Sequence, residues 1–297
     1  MPLASLRPRL AALVGIALLA TGLTSPAQAQ DRARNPAAKT MPIFDAHLHY
    51  NWEPTAHFPL DKVLKTFADN NVRGILATSR PNAGTHALVS AGQPKPWVVP
   101  FLRPYRIRAD IGTWYGDRQT MKLIEEEFPR GYYKGIGEFH LHGFAAKSDV
   151  VRDVVLFARK HKLMLHAHSD VVAIEELFAV DPQARIIWAH TGFTEPADKV
   201  AEMLQRYPGL TAELSYRGGI TGAGGVTAEW KRLFDRFPDR FLLGSDTWIN
   251  ERWDDYPNII GQYREWLADL PPAVAEQIAW KNAERLFGPA PEAVTKP

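Results

Sequence analysis

The chain has 297 residues, 45% hydrophobic and 23% charged, with a formal net charge of +2. That is an ordinary globular composition with room for one sizeable core, and its charge surplus is too small to argue for a nucleic-acid or membrane-surface partner. Ten histidines accompany no cysteine, so a disulfide framework is excluded and any transition-metal site must be built from imidazole and carboxylate.

Residues 1–29 differ from the rest. Arg7 and Arg9 precede an apolar run from Leu10 to Leu23, and Ala27-Gln28-Ala29 offers a small-x-small cleavage site. This is the pattern of a secretory signal peptide, and the run is short for a membrane span; an uncleaved N-terminal anchor is the alternative. Cleavage would leave a mature chain from Gln30 with a flexible leader over 30–41 and no membrane span. It would place the protein in the periplasm of a bacterial envelope, an oxidising compartment that suits a cysteine-free chain.

From Pro42 onward, short apolar runs alternate with amphipathic stretches. The runs are Pro42–His47, Arg73–Thr78, Trp97–Leu102, Tyr133–Glu138, Leu163–His166, Arg185–Ala189, Leu210–Leu214 and Phe241–Gly244. Their spacing of roughly 20–35 residues is the interval of a βα unit. Between them, Leu60, Val63, Leu64 and Phe67 follow helical periodicity, as do Val151, Val154, Val155 and Ala158. Pro182, Pro208 and Pro238 each stop a helix just before a new strand. Eight such units predict a single-domain (β/α)8 TIM-type barrel over 42–288 with a tail over 289–297; an open doubly wound sheet is the alternative. The Thr221–Gly225 stretch reads as a loop after the seventh strand.

In such barrels the C-terminal ends of the strands carry the chemistry. The first strand ends Phe44-Asp45-Ala46-His47-Leu48-His49, and alternation along a strand points His47 and His49 the same way. Two imidazoles so placed can bind one ion. The fourth strand ends at Glu138, the fifth at His166, the sixth at His190 and the eighth at Asp246. Ligand-type residues at five strand ends are hard to read as independent core residues.

The D-x-H-x-H of Asp45–His49, then His166, His190-Thr191-Gly192 and Gly244-Ser245-Asp246, resemble in order and spacing the amidohydrolase superfamily. Asn282-Ala283-Glu284-Arg285-Leu286-Phe287 resembles the C-terminal helix of its amidohydrolase-related (amidohydrolase 2) branch, which includes lactonases, decarboxylases and hydratases of small carboxylic acids. The resemblance spans Pro42 to Gly288. It implies a divalent metal, Zn²⁺, as one or two ions, with His47, His49, His166 and Asp246 as ligands and His190 as a ligand or an acid/base. The fourth-strand place that often holds a carboxylated bridging lysine is held here by Glu138. A glutamate bridge also occurs in the superfamily's metal-dependent deoxyribonucleases, so Glu138 keeps a two-ion site open. Lys134 begins the same strand, too far from the rim.

Three imidazoles and a carboxylate around Zn²⁺ leave a place for a water of lowered pKa, with Asp246 as ligand and general base. His140, His142 and His168 either line the mouth or are solvated loop residues. Asp45 either orients a ligand histidine or is buried against a backbone donor. Arg80, Arg103, Arg106 and Arg217 follow strands two, three and seven, where guanidinium groups would grip a carboxylate or phosphate. Arg80, Arg103, Arg217 and His140 are therefore candidate substrate-binding residues, although surface loops commonly carry arginine. Trp114, Tyr115, Trp248 and Trp253 either wall a pocket or pack as lids. The expected function is hydrolysis of an ester, lactone or amide bond in a small anionic molecule. Non-oxidative decarboxylation and two-ion phosphodiester cleavage are the alternatives, and no nucleic-acid partner is expected.

Overall fold

The apolar runs become parallel strands whose neighbours follow chain order: β1 (Ile43–Leu48), β2 (Val72–Ala77), β3 (Trp97–Leu102), β4 (Gly135–Leu141), β5 (Met164–Ser169), β6 (Ile186–Trp188), β7 (Leu210–Glu213) and β8 (Phe241–Leu242). In this computed structural model residues 34–91 and 96–289 are described. The expected signal peptide and most of the expected C-terminal tail lie outside the described residues. The sheet curls until its edges meet. Asp45 bridges Leu243 in parallel, and the Ala46 N–H donates to the Leu243 carbonyl at 2.7 Å. The result is a single-domain, nearly closed eight-stranded barrel.

Helices cover its outside because each presents one apolar stripe. Helix α1 (Leu60–Asp69) buries Val63 and Phe67, and α4 (Asp149–His161) buries Val151, Val154, Val155 and Ala158. Between them run α2 (Ala83–Ser90) and α3 (Gln119–Glu127). Ser148 caps α4 by accepting from the Val151 N–H, and Asp170 caps α5 (Val171–Val180) by accepting from Ala173. The outer layer continues through α6 (Ala197–Arg206), α7 (Ala228–Arg236), α8 (Asn250–Asp254), α9 (Tyr256–Leu267), α10 (Pro272–Glu276) and α11 (Asn282–Phe287). Among the described residues, no helix is long and apolar enough to cross a membrane.

Inside the barrel, Phe44, Leu76, Val99, Phe101, Met164 and Ile187 form a separate apolar cluster. Phe287 from α11 closes it from the strand N-terminal end, with its ring 5.8 Å from Phe44 and 6.0 Å from Phe101. The floor is thus apolar, and polar side chains gather at the opposite end.

Several details differ from the sequence expectations. Strands β4 and β5 continue to Leu141 and Ser169, so His140 and His168 belong to strands rather than loops. The stretch after β7 contains a two-stranded hairpin pairing Thr221–Gly222 with Gly225–Val226. The described part of the expected leader is packed. Pro36–Thr40 forms a 3-10 helix with Ala38 fully buried, and the Asn35 N–H donates to the Ala268 carbonyl. Trp253 is a core residue, its ring 6.1 Å from Phe67 and 5.9 Å from Tyr256. Phe67→Ala, which removes the α1 ring packed on Trp253 and Tyr256, should cost about 3–5 kcal/mol, read as a lowered urea unfolding midpoint. An unchanged midpoint would mean that the α1 contact contributes little.

Candidate metal centre

Period-two alternation on β1 turns His47 and His49 to the barrel axis, where both are fully buried. Three of the four candidate imidazoles have Nδ1 beside an oxygen: His47 beside Glu213 Oε2 at 2.9 Å, His49 beside the Thr78 carbonyl at 2.5 Å, and His190 beside the Ser215 carbonyl at 2.9 Å. A proton on Nδ1 satisfies these contacts and leaves each Nε2 with an outward lone pair, the arrangement that metal-binding histidines use. For His49 a second neighbour, Arg103 Nη1 at 2.6 Å from Nδ1, can only donate. A single ring nitrogen cannot serve both, and the carbonyl partner is the one consistent with a protonated Nδ1.

The lone pairs converge. His47 Nε2 and His49 Nε2 are 3.1 Å apart, and Asp246 Oδ1 lies 3.5 Å from the first and 3.1 Å from the second. Ligand atoms about 2.0–2.2 Å from a tetrahedral ion are separated by about 3.4 Å, so this triangle has the size of one coordination face. Glu138 Oε2 is 3.5 Å from His47 Nε2 and 3.3 Å from His49 Nε2. His190 Nε2 is 3.6 Å from Glu138 Oε1 and 3.9 Å from Asp246 Oδ2. His166 is completely buried, its ring 4.5 Å from that of His47, and neither of its nitrogens has a partner. Orphaned buried nitrogens need an explanation, and a cation shared with these neighbours supplies one. The donor set fits a divalent metal.

Electrostatics point the same way. Burial works against a charged His47, but Asp246, Glu138 and Glu213 outweigh it and raise its pKa well above the usual imidazole value. Burial likewise opposes ionisation of Glu138, yet His47 and Arg103 hold its carboxyl well below the ordinary range. Asp246 is lowered against its own burial by His47 and His49. Carboxylates packed this closely around imidazole lone pairs demand positive charge, which a proton on His47 or a metal ion provides. His140 is pushed down to about 3 by burial, so it is neutral at physiological pH.

The backbone is strained at the same place. His190 (φ 57°), Thr191 (φ 46°) and Asp246 (φ 48°) lie in the left-handed region without being glycine, at a cost of about 1–3 kcal/mol each. Hydrogen bonds hold them there: the Thr191 hydroxyl donates to the Glu213 carbonyl at 2.7 Å, and the Asp246 N–H donates to the His47 carbonyl at 2.6 Å.

The remaining sequence candidates divide. Arg80 and Arg103 are buried beside the centre. Arg80 Nη2 pairs with Glu53 at 2.8 Å while its Nη1 is buried without a partner, and Arg103 Nη2 pairs with Glu138 Oε2 at 3.0 Å. Arg217 is not at the site. Its guanidinium is bound to the carbonyls of Phe193, Glu195 and Gly218, and it stacks on Trp230. Arg106 is spent on Asp110 and Asp117. His140 and His168 stack at 4.0 Å at the mouth, and His142 is exposed. Asp45 accepts from Ser245, Tyr256 and the His47 N–H, so it braces the backbone rather than an imidazole ring. Trp114 is buried, with its Nε1–H on the His140 carbonyl, and Tyr115 is half-buried against the core. Only Trp248 of the four aromatics lines the cavity.

That cavity, about 320 Å³, is bounded by His49, Arg80, Arg108, Phe193, Tyr216 and Trp248, among others, and opens onto Glu138, His190 and Asp246. A larger one of about 630 Å³ lies beside α9. It shares only Tyr216 with the first and touches none of the candidate ligands, so the chemistry belongs to the smaller cavity.

The residue missed in the sequence is Glu213. It ends β7, is fully buried, and accepts from the Ser215 hydroxyl and the His190 N–H as well as facing His47. The strand-end rule would have found it, but Leu214 prolongs the apolar run and hides the acidic residue within it. Glu213→Gln should weaken metal affinity about 10–100-fold with unchanged circular dichroism, measured by competition with a chelating dye. Unaltered affinity would remove Glu213 from the support of His47.

Comparison with known proteins gives the same picture. The Amidohydrolase family profile matches residues 116–288. No curated protein sequence matches the chain. Among solved structures, an amidohydrolase from Burkholderia multivorans with bound zinc is similar at TM-score 0.52 and 12% identity, covering 83% of this chain and 99% of that one. A Pseudomonas putida protein assigned as a 2-pyrone-4,6-dicarboxylic acid hydrolase matches at TM-score 0.56 and 14% identity, covering 84% and 98%. A TatD homologue from Escherichia coli K12 matches at TM-score 0.55 and 15% identity, covering 85% and 99%. At such identities these neighbours speak for the barrel fold, whereas the family match covers more than half of the chain. This chain belongs to the amidohydrolase family of metal-dependent hydrolases.

Proposed function

We propose that the protein hydrolyses an ester, lactone or amide bond in a small carboxylate-bearing substrate at a zinc centre. The observation that carries this reading is the His47–His49–Asp246 triangle beside a cavity lined by Arg80, whose Nη1 is buried without a partner. His47, His49 and Asp246 would hold the ion, with His166, His190 and Glu138 as further candidates. When bound, a divalent ion supplies Lewis acidity and an acidified water. The zinc in the Burkholderia neighbour and the dicarboxylic acid in the name of the Pseudomonas one support the choice of metal and substrate class.

The chain's own groups divide the remaining work. Asp246, kept ionised by His47 and His49, accepts the water proton on a carboxylate oxygen and returns it to the leaving group. His190 faces Asp246 Oδ2 and Glu138 Oε1 and can share that proton. Arg80 is fixed by its Glu53 pair and by its N–H on Asn51 Oδ1 at 2.8 Å, and it meets the substrate carboxylate. Phe193, Tyr216 and Trp248 wall the cavity and limit bulk water around the reacting bond.

A panel of carboxylate-bearing lactones, esters and amides tests the reading, with carbon dioxide release measured in parallel. Acid production without carbon dioxide is expected, and carbon dioxide release would identify the centre as a decarboxylase. Asp246→Asn should lower turnover at least about a hundredfold with circular dichroism retained; near-wild-type turnover would remove Asp246 from proton transfer. Arg80→Gln should raise KM about tenfold or more for the anionic substrate while sparing its neutral analogue. Equal effects on both would show that Arg80 does not read the charge.

A further inference from the structure

His140 and His168 are register partners on the neighbouring strands β4 and β5. Their rings stack at 4.0 Å, and both line the smaller cavity. The hydrogen bonds around them fix which nitrogen of each ring carries the proton. Tyr105 is fully buried, and its phenolic oxygen accepts from the His140 backbone N–H at 2.5 Å. Among the described residues the one acceptor left for its own hydrogen is His140 Nδ1, at 3.2 Å. Buried hydroxyl groups are rarely left unpaired, so Tyr105 donates and the neutral His140 ring carries its proton on Nε2. His168 is the reverse case. Its Nδ1 lies 2.9 Å from Glu138 Oε1, and the other oxygen of that carboxylate accepts from the Arg103 guanidinium at 3.0 Å. An ionised carboxylate can only accept, so the neutral His168 ring carries its proton on Nδ1 and its lone pair on Nε2. Neither Nε2 has a partner among the described residues, and neither is sealed from solvent.

We infer that this stacked pair is a specificity element: His140 Nε2–H offers a donor and His168 Nε2 an acceptor, so the cavity selects a substrate with a carboxamide-type edge, a carbonyl beside an N–H. The inference rests on the reading of this cavity as the substrate site and deepens it. It names a second recognised group besides the carboxylate that meets Arg80. A second carboxylate suits this wall poorly. It has no hydrogen for the His168 lone pair, and it would approach the charge of Glu138 on the far side of the same ring. An ester or ketone would satisfy His140 but leave His168 unpaired, and an unpaired polar group in a desolvated site is costly. Both rings are held in place. Tyr105 and Glu138 fix one nitrogen of each, and His190 and Phe193 pack on the His168 ring at 4.7 and 4.9 Å.

The test is calorimetric binding to zinc-loaded full-length protein at about pH 8, with two probes of one shape. Succinamate carries a carboxylate and a primary carboxamide. In levulinate a methyl group replaces the amide nitrogen and the carbonyl stays. Succinamate should bind about tenfold more tightly than levulinate. His168→Phe, which keeps an aromatic ring in the stack, should bring the two affinities together. His140→Phe should weaken both about tenfold and leave their ratio unchanged. Zinc content and circular dichroism should be retained in both variants. A merely loosened site does not change the ratio in one variant and only the scale in the other. Equal affinities in the wild type, a preference kept by His168→Phe, or undiminished affinities in His140→Phe would each overturn the inference. If a variant does not fold, the wild-type ratio and the other variant still decide. Arg80→Gln separates this inference from the wider reading, because it should weaken both probes alike through their shared carboxylate. A wild type that binds neither probe would overturn the reading of the cavity as a carboxylate site. Equal affinities that still fall in Arg80→Gln would leave that reading standing and sink only the histidine pair.

Discussion

The hydrogen bond from the Asp246 N–H to the His47 carbonyl, at 2.6 Å, joins the ends of the first and last strands and sets two candidate ligands side by side. Barrel closure and site assembly are here the same event. Residues about 200 positions apart reach coordination distance only because the sheet has curled through six intervening strands. Asp45 strengthens the seam by accepting from the Ser245 N–H and hydroxyl and from Tyr256. Its pKa is raised by burial even so, which is the electrostatic cost of bracing a seam with a carboxylate.

A second constraint follows from crowding. Glu138, Glu213 and Asp246 are buried around His47, and buried charge is tolerated only when paired or hydrogen-bonded. Arg103 answers Glu138, Ser215, the His47 imidazole and the His190 backbone N–H answer Glu213, and the Nε2 face remains the unbalanced part. Around it the chain tolerates left-handed backbone at His190, Thr191 and Asp246. Strain of that kind persists where the surrounding structure determines it strongly, as the Glu213 bonds to Thr191 and His190 do here.

Much of this was legible in the residues because barrel chemistry sits where apolar runs stop. Trp97–Leu102 matches its strand in both bounds, and the polar residues ending the first, fourth, sixth and eighth runs meet in space. What escaped did so for specific reasons. His140 and His168 continue the inward alternation of β4 and β5, but polar side chains at a mouth look like loop in one dimension. Glu213 was masked by Leu214. Arg217 looked free because its partners are backbone carbonyls of the loop around Phe193 and Glu195, which no local pattern announces. The partition of Arg80 and Arg103 into substrate-facing and Glu138-facing roles depends on which acidic residue each meets, and that is a property of the fold alone.

The floor of the barrel has a consequence for the order in which the protein can be made. Phe287 plugs the interior from the last helix, and Asp246 arrives with the last strand. Both lie far along the chain from His47 and His49, so a growing chain contains the two histidines before it contains the carboxylate or the plug. Such a precursor presents only an H-x-H pair, a weak and unselective ligand for any passing cation. The complete donor set, and the selectivity that comes with its fixed geometry, exists only once the eighth strand has closed the barrel, so capture of the correct ion follows that closure.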